Sequence, residues 1–258
     1  MSDAAYTMSR RIRGVSVFSG AGGRPVQEDQ ILASRERGIF ILADGFGGPV
    51  AGVRAAKIAC DEVRNFLFKE AGDRDATLPF ELRSYFSLAG NVLFNALIHA
   101  NRKVWGQNTA VGVNERGGAS VVAGFVDDDL LAIANVGACS AWLYRGGEMR
   151  ELVIPRTLAR MRDPMGGAAA SPELQIPLMA LGMGEDLEPE IFEYRIQPGD
   201  WLLFQTDGVG PSAREEVGRL AQTYIRKGPP AETALNELNR ILREDSNSDN
   251  YSVSLVIF

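Results

Sequence analysis

The chain has one histidine, His99, and two cysteines, Cys60 and Cys139, among 258 residues. That scarcity excludes much familiar chemistry. A Ser-His-Asp triad, a histidine-rich zinc site or a Cys-His pair would have to use His99. His99 lies in FNALIHANRKVWG, a helical pattern with no nucleophile-like turn nearby, and is read as structural or surface-facing. The cysteines stand in no metal-binding spacing, which fits a reduced, cytoplasmic protein. No apolar run approaches the ~18 residues of a membrane span. The opening MSDAAYTMSRRIRG shows no apolar stretch ahead of a cleavage site, so neither a membrane nor signal-peptide secretion is expected. Positive charge is also short: 27 Lys and Arg against 33 Asp and Glu leave a net charge of −6, which argues against a nucleic-acid partner. Only SRRIR gathers basic residues, and it reads as a solvated strand edge.

What is present is ordinary globular material, 45% apolar and 23% charged, enough for a packed core. No repeat or linker divides the chain. One domain over residues 1–258 is expected, with 1–11 as a disordered tail. Strand-like runs come first: GVSVFSG, DQILAS and GIFILA. A helical pattern follows in AGVRAAKIACDEVRNFLFKEAG, aligning Ala56, Ala59, Cys60, Val63, Phe66 and Leu67. A second helix is expected over residues 80–105, aligning Phe86, Ala89, Val92, Leu93, Ala96, Leu97 and Ala100. Strands return in ASVVAGFV, LLAIANVG and SAWLYRGG, the first two joined by VDDDL, a hairpin turn rather than a cation site. From Glu151 to Glu190 the pattern fades into a long loop rich in Gly, Pro and Met. EIFEYRIQPGDWLLFQTDG holds two more strands, helices follow at about 212–226 and 231–244, and YSVSLVIF closes the chain. Ser212 with Glu215 forms a capping-box pattern at the first of those helices. Such an order indicates antiparallel sheets packed against helices, not a regular βαβ series.

One arrangement repeats. Asp44 ends the apolar run of IFILADG, and Asp207 ends that of WLLFQTDG. Asp249 stands just before the last strand, and Glu28 and Asp29 just before ILAS. Singly, each Asp-Gly pair is what a turn or a helix cap would show. Together they recur at strand ends in a chain nearly free of histidine. Carboxylate oxygens without imidazole or thiolate suit a hard cation such as Mg²⁺ or Mn²⁺. Two carboxylates ~4 Å apart repel by about 4 kcal/mol at an effective dielectric near 20. If the fold gathers these strand ends, a metal pair is the natural explanation.

Five segments, RPVQEDQ, FILADGFGG, LLAIANVG with AWLYRGGEM, PGDWLLFQTDGV and DNYSVSLV, occur in the order and spacing of the PPM family. These are the type 2C metal-dependent Ser/Thr protein phosphatases, and the chain resembles a divergent, bacterial member over about residues 12–258. The resemblance implies an α+β fold, a four-layer α-β-β-α sandwich of two antiparallel sheets flanked by helices. It implies two Mn²⁺ or Mg²⁺ ions at one end of the sandwich. By matching position, Asp44 would bridge both ions, Asp207 and Asp249 would hold one, and Glu28 with the Gly45 carbonyl would hold the other. Asp29 would act nearby through water, and Arg24 would grip the substrate phosphate. A shared, acidified water would attack phosphorus, with Asp44 and Arg24 as the catalytic residues. The glycines after Asp44 would let backbone approach the metal. A protein phosphorylated on Ser or Thr is the implied substrate, and a kinase or regulatory protein a further partner.

The chain departs from the family at several points. The central motif reads NVGACS, with Ala138 where the family carries Asp, and Pro211 replaces an acidic residue after Asp207. Both belong by resemblance to a third, weaker metal site, which is therefore expected to be absent. The histidine found near Asp-Gly in many relatives is missing, since DGFGGPV offers Phe46 and Pro49. Gln27 stands where Asn is usual. Two readings follow: a working two-metal phosphatase, or a metal-stabilised pseudophosphatase that binds a protein partner. A third, a cysteine phosphatase built on the C-x5-R spacing of Cys139 and Arg145, is rejected because that segment alternates like a strand. The loop over residues 155–183 falls where the family carries its substrate-facing flap.

Overall fold

The computed structural model describes residues 11–70, 82–163, 174–227 and 249–258, with positions 233, 236, 237 and 240 between them. Ten β-strands form two antiparallel sheets. One has the order β1 (Gly14–Gly20), β10 (Tyr251–Ile257), β9 (Trp201–Gln205), β6 (Ser140–Arg145), β7 (Glu148–Val153). The other runs β2 (Gln30–Ser34), β3 (Ile39–Phe46), β4 (Gly118–Asp127), β5 (Leu130–Val136), β8 (Glu190–Arg195). Helices α1 (Ala51–Glu70) and α2 (Leu88–Thr109) cover the second sheet, and α4 (Pro211–Lys227) covers the first. A short α3 (Leu158–Arg162) follows β7. The architecture is the expected four-layer α-β-β-α sandwich.

The layers explain the sequence pattern. In β3, Ile39, Ile41 and Ala43 pack under α1 and α2, while Phe40 and Leu42 fill the space between the sheets. Both faces are buried, so the strand reads as continuous apolar sequence instead of alternating. Ala56, Ala59, Cys60, Val63 and Leu67 of α1 supply the facing stripe, with Phe66 partly buried beside it. VDDDL is the expected hairpin turn, with Asp128 at φ 55.

Four details differ from the sequence expectation. α2 begins at Leu88, not near residue 80, because Ser87 caps it: the Ser87 hydroxyl accepts from Gly90 N at 3.1 Å. Glu193 of β8 in turn accepts from both the amide and the hydroxyl of Ser87. α4 opens on Pro211, a favoured first helical residue, so Ser212 stands inside the first turn and not before it. β7 was not foreseen, and it takes the first residues of the supposed loop. Described parts of that loop are also held to one another: Leu158 N donates to Ile176 O at 3.0 Å and Leu178 N to Arg156 O at 2.9 Å. Residues 1–10 of the expected tail, 164–173 of the loop and most of the helix over 231–244 lie outside the described residues.

Two buried asparagines on α2 tie the connecting loops to this frame. Asn108 Nδ2 donates to Gly117 O at 2.7 Å and Gly182 O at 2.9 Å, and its Oδ1 accepts from Gly117 N at 3.2 Å. Asn101 holds residues 182–185 in the same way. Asn108→Ala leaves three buried backbone groups without partners. It should cost about 2 kcal/mol of unfolding free energy, read as a lower urea midpoint with an unchanged m-value.

Candidate metal centre

Four strands bring acidic residues to one end of the sandwich, two from each sheet. Side chains alternate along β3, so Asp44 shares the face of Phe40 and Leu42 and points between the sheets at their open end. Glu28 and Asp29 lead into β2, Asp249 and Asn250 lead into β10, and Asp207 follows β9 after Thr206. β2 pairs with β3 and β9 with β10, so these ends are neighbours by topology.

A hydrogen-bond web fixes the approach. Buried Asn250 donates through Nδ2 to Ala21 O (3.0 Å) and Val26 O (2.9 Å), and its Oδ1 accepts from Glu28 N (2.9 Å). Gln27 Nε2 donates to Ser19 Oγ (2.7 Å) and Gly20 O (3.0 Å), while its Oε1 accepts from Asp29 N (3.2 Å). Thr206 Oγ1 donates to Asp29 Oδ2 at 3.0 Å and accepts from Ser252 N at 2.9 Å. The second oxygen of Asp29, Oδ1, is buried without a partner. An uncompensated buried carboxylate oxygen is costly unless a cation or a proton completes it.

The electrostatics agree. Burial, followed by the charges of Asp207, Asp29 and Asp249, holds the Asp44 carboxyl well above the usual range. Burial and the charges of Asp249 and Asp29 push Asp207 up to about 7, although its side chain keeps a face open to solvent. Burial raises Asp29 to about 6 against the neighbouring Ser252 and Thr206 hydroxyls. Burial also raises Glu28, opposed by Arg24. These side chains crowd one another and disfavour their own ionisation. The donors are all oxygen, one is orphaned, and the mutual repulsion needs a counter-charge, so the residues fit hard divalent ions. Among the described residues, no three or more His, Cys, Asp and Glu side chains are grouped closely enough to hold a metal ion as they stand. Arg24 Nη2 instead donates to Asp249 Oδ2 at 2.8 Å. That pair is exposed, and such pairs are worth ~0–1 kcal/mol, so exchanging it costs little.

The structure thus brings together Glu28, Asp29, Asp44, Asp207, Asp249 and Arg24. Gly45 needs its lack of a side chain for packing as well: a Cβ there would fall 2.3 Å from the Gly52 carbonyl oxygen in α1. A Cβ on Gly52 would fall 1.9 Å from Glu28 Oε2. His99 stays on α2, with Nε2 3.0 Å from Glu62 Oε2. Cys139 is buried just before β6, burial and the carboxylates push its thiol up, and Arg145 is committed to Asp200. No C-x5-R phosphate loop forms. Ala138 is buried and Pro211 sits in α4, so neither supplies a ligand. Sequence reasoning missed Asn250, Thr206 and Ser252, whose only signal was their place beside the acidic residues.

No family model matches the chain. Among curated proteins it is similar to the protein phosphatase PhpP of Streptococcus pneumoniae, 24% identical over 226 residues, 85% of each chain. Among solved structures it is similar to the PPM Ser-Thr phosphatase MsPP from Mycobacterium smegmatis, which was solved with cacodylate. The TM-score is 0.74 at 21% identity, covering 96% of this chain and 99% of that one. The catalytic domain of the serine/threonine phosphatase PstP, solved with two manganese ions, gives a TM-score of 0.71 at 20% identity, covering 95% and 98%.

Two substitutions test the cluster. Asp44→Asn removes a repelling charge at nearly constant shape. The metal-free protein should melt a few degrees higher, the scale of about 1 kcal/mol, and the rise in Tm produced by Mn²⁺ should vanish. An equal Mn²⁺ effect in variant and parent would contradict a role for Asp44 in holding an ion. Gly52→Ala should be helped by helix propensity, by up to about 1 kcal/mol, yet displace the Glu28 carboxylate. Calorimetric titration with Mn²⁺ should then show weaker binding by a well-folded protein.

Proposed function

We propose that this chain, which carries the fold of the PPM Ser/Thr phosphatases, is a divergent member of that family and acts as one phosphatase-like domain. Its activity would be metal-dependent hydrolysis of phosphomonoesters on proteins phosphorylated at Ser or Thr. The observation that carries this reading is the convergence of Asp29, Asp44, Asp207 and Asp249 at one end of the sandwich, with Arg24 beside them.

In this reading Asp207 and Asp249 would hold one Mn²⁺ or Mg²⁺ ion, Glu28 and the Gly45 carbonyl a second, Asp44 would contribute to holding both, and Asp29 would act nearby through water. Bound ions supply counter-charge for the phosphate and an acidified water for attack on phosphorus. The chain's own part is positioning. Thr206 and Gln27 orient Asp29, Asn250 fixes the backbone of Glu28, and Arg24 exchanges Asp249 for two phosphate oxygens. Phe46, half-buried at the end of β3, offers no proton to the leaving alkoxide, so water or another group would supply it. Among the described residues no helix is long and apolar enough to cross a membrane, and both cysteines are free and buried, which suits the cytoplasm. A kinase or regulatory protein that acts on the same substrates is the partner this chemistry calls for.

Buried Ala138 and helical Pro211 favour a second reading, a pseudophosphatase that binds metal and a protein without turnover. Assays of p-nitrophenyl phosphate and a phosphothreonine peptide, with Mn²⁺, Mg²⁺ or chelator, separate the two. The phosphatase reading expects hydrolysis that chelator abolishes and that falls to background in Asp207→Ala. Arg24→Ala should lower kcat/KM by about ten- to a hundredfold, the worth of one or two charge-assisted bonds. Stabilisation by Mn²⁺ without turnover at high protein concentration would instead support the pseudophosphatase.

A further inference from the structure

Away from the carboxylates, on the outer face of the β1-β10-β9-β6-β7 sheet, a groove of about 510 Å³ runs between α4 and the β6–β7 hairpin. Trp142, Tyr144 and Met149 form its floor, and α4 turns Arg214, Gly218 and Gln222 toward it at helical spacing.

Two independent features suggest that the groove has an occupant. The first is Arg214. Its guanidinium lies 4.6 Å from the Trp142 ring and, among the described residues, forms neither a hydrogen bond nor an ion pair. Burial lowers its pKa from the ordinary arginine value by more than the charges of Glu151 and Glu215 restore. The other arginine of the groove, Arg219, is engaged by Glu216 and Glu237. Arg214 is thus a half-buried cation with no carboxylate in direct contact, although Glu215 also lines the groove. The second feature is Gly218. Glycine in a helix interior costs about 1 kcal/mol relative to alanine, yet a Cβ at Gly218 would meet no atom within 4 Å. Packing does not require glycine there. Its effect is to keep the groove open opposite the aromatic floor.

We propose that this groove docks a segment of a protein partner in which an aromatic or aliphatic side chain stands beside a carboxylate. The apolar side chain rests on Trp142 and Met149, and the carboxylate pairs with the Arg214 guanidinium. The groove is open along its side, which suits a stretch of polypeptide over an enclosed small molecule. α4 begins at Pro211, shortly after Asp207, but the groove lies on the outer face of the sheet and not among the acidic residues. Binding here does not depend on whether the carboxylate cluster turns over substrate.

The test uses the full chain and a library of random heptapeptides displayed on phage, panned in parallel against the parent and Gly218→Leu. Sequences pairing Asp or Glu with Phe, Trp, Leu or Met should be enriched on the parent alone. A synthetic peptide of the enriched sequence should change Trp142 fluorescence and bind Arg214→Gln about tenfold more weakly, as expected for loss of a charge-assisted bond. Circular dichroism establishes that both variants are folded, and Arg214→Gln decides the matter alone if Gly218→Leu is not. The proposal is overturned if parent and Gly218→Leu enrich the same sequences, if the enriched peptides lack an acidic residue, or if Arg214→Gln binds as well as the parent. It is equally overturned if sedimentation shows the parent self-associating and Gly218→Leu monomeric, which would give the groove to a second copy of the chain.

Discussion

The repulsion among carboxylates at the open end of the sandwich is the constraint from which the rest of the molecule follows. Asp29, Asp44, Asp207 and Asp249 would avoid one another in a flexible chain. Here Asp44, Asp207 and Asp249 are fixed by strands that the core holds in place, β3 being buried on both faces and β9 and β10 along their length, while Asp29 leads into the half-buried β2. The hydrophobic layers therefore sustain an arrangement that electrostatics opposes. Sites that must capture cations commonly sacrifice stability in this way.

The polar web around the cluster decides which oxygens remain available. Thr206 takes one oxygen of Asp29 and leaves the other bare. Asn250 satisfies two carbonyls and one amide of the segment carrying Arg24 and Glu28, so that segment has no need of regular structure to keep its place. Gln27 spans from Ser19 and Gly20 to the Asp29 amide. Rigid support of this kind is what a metal site needs beyond its direct ligands.

Much of this was legible in the sequence because the informative signals were local. An apolar run ending in Asp-Gly marks both a strand and its terminal carboxylate, as at Asp44 and Asp207. The hairpin at Asp128 and the buried stripe of α1 are equally local. What escaped was set at long range. β7 alternates weakly because, as an edge strand, it buries only its end, at Leu152 and Val153. Asn250 gains its meaning from partners more than two hundred residues earlier, and Ser252 from Ser19 and Thr206. The glycine at position 45 is legible in the sequence, but its close contact with the first turn of α1 needs the tertiary structure. The groove beside α4 could not be read at all, since Gly218 and Arg214 look like ordinary surface residues until the hairpin lies opposite them.

The cap of α2 has a consequence for how the molecule assembles. Ser87 can start the helix with its own hydroxyl, but the carboxylate that grips Ser87 belongs to Glu193, 106 residues further along the chain. β8, which carries Glu193, is the outermost strand of its sheet and joins only β5. The contact between Ser87 and Glu193 can therefore exist only once the long connection between α2 and β8 has closed. A nascent chain still lacking β8 would begin α2 on the Ser87 cap alone.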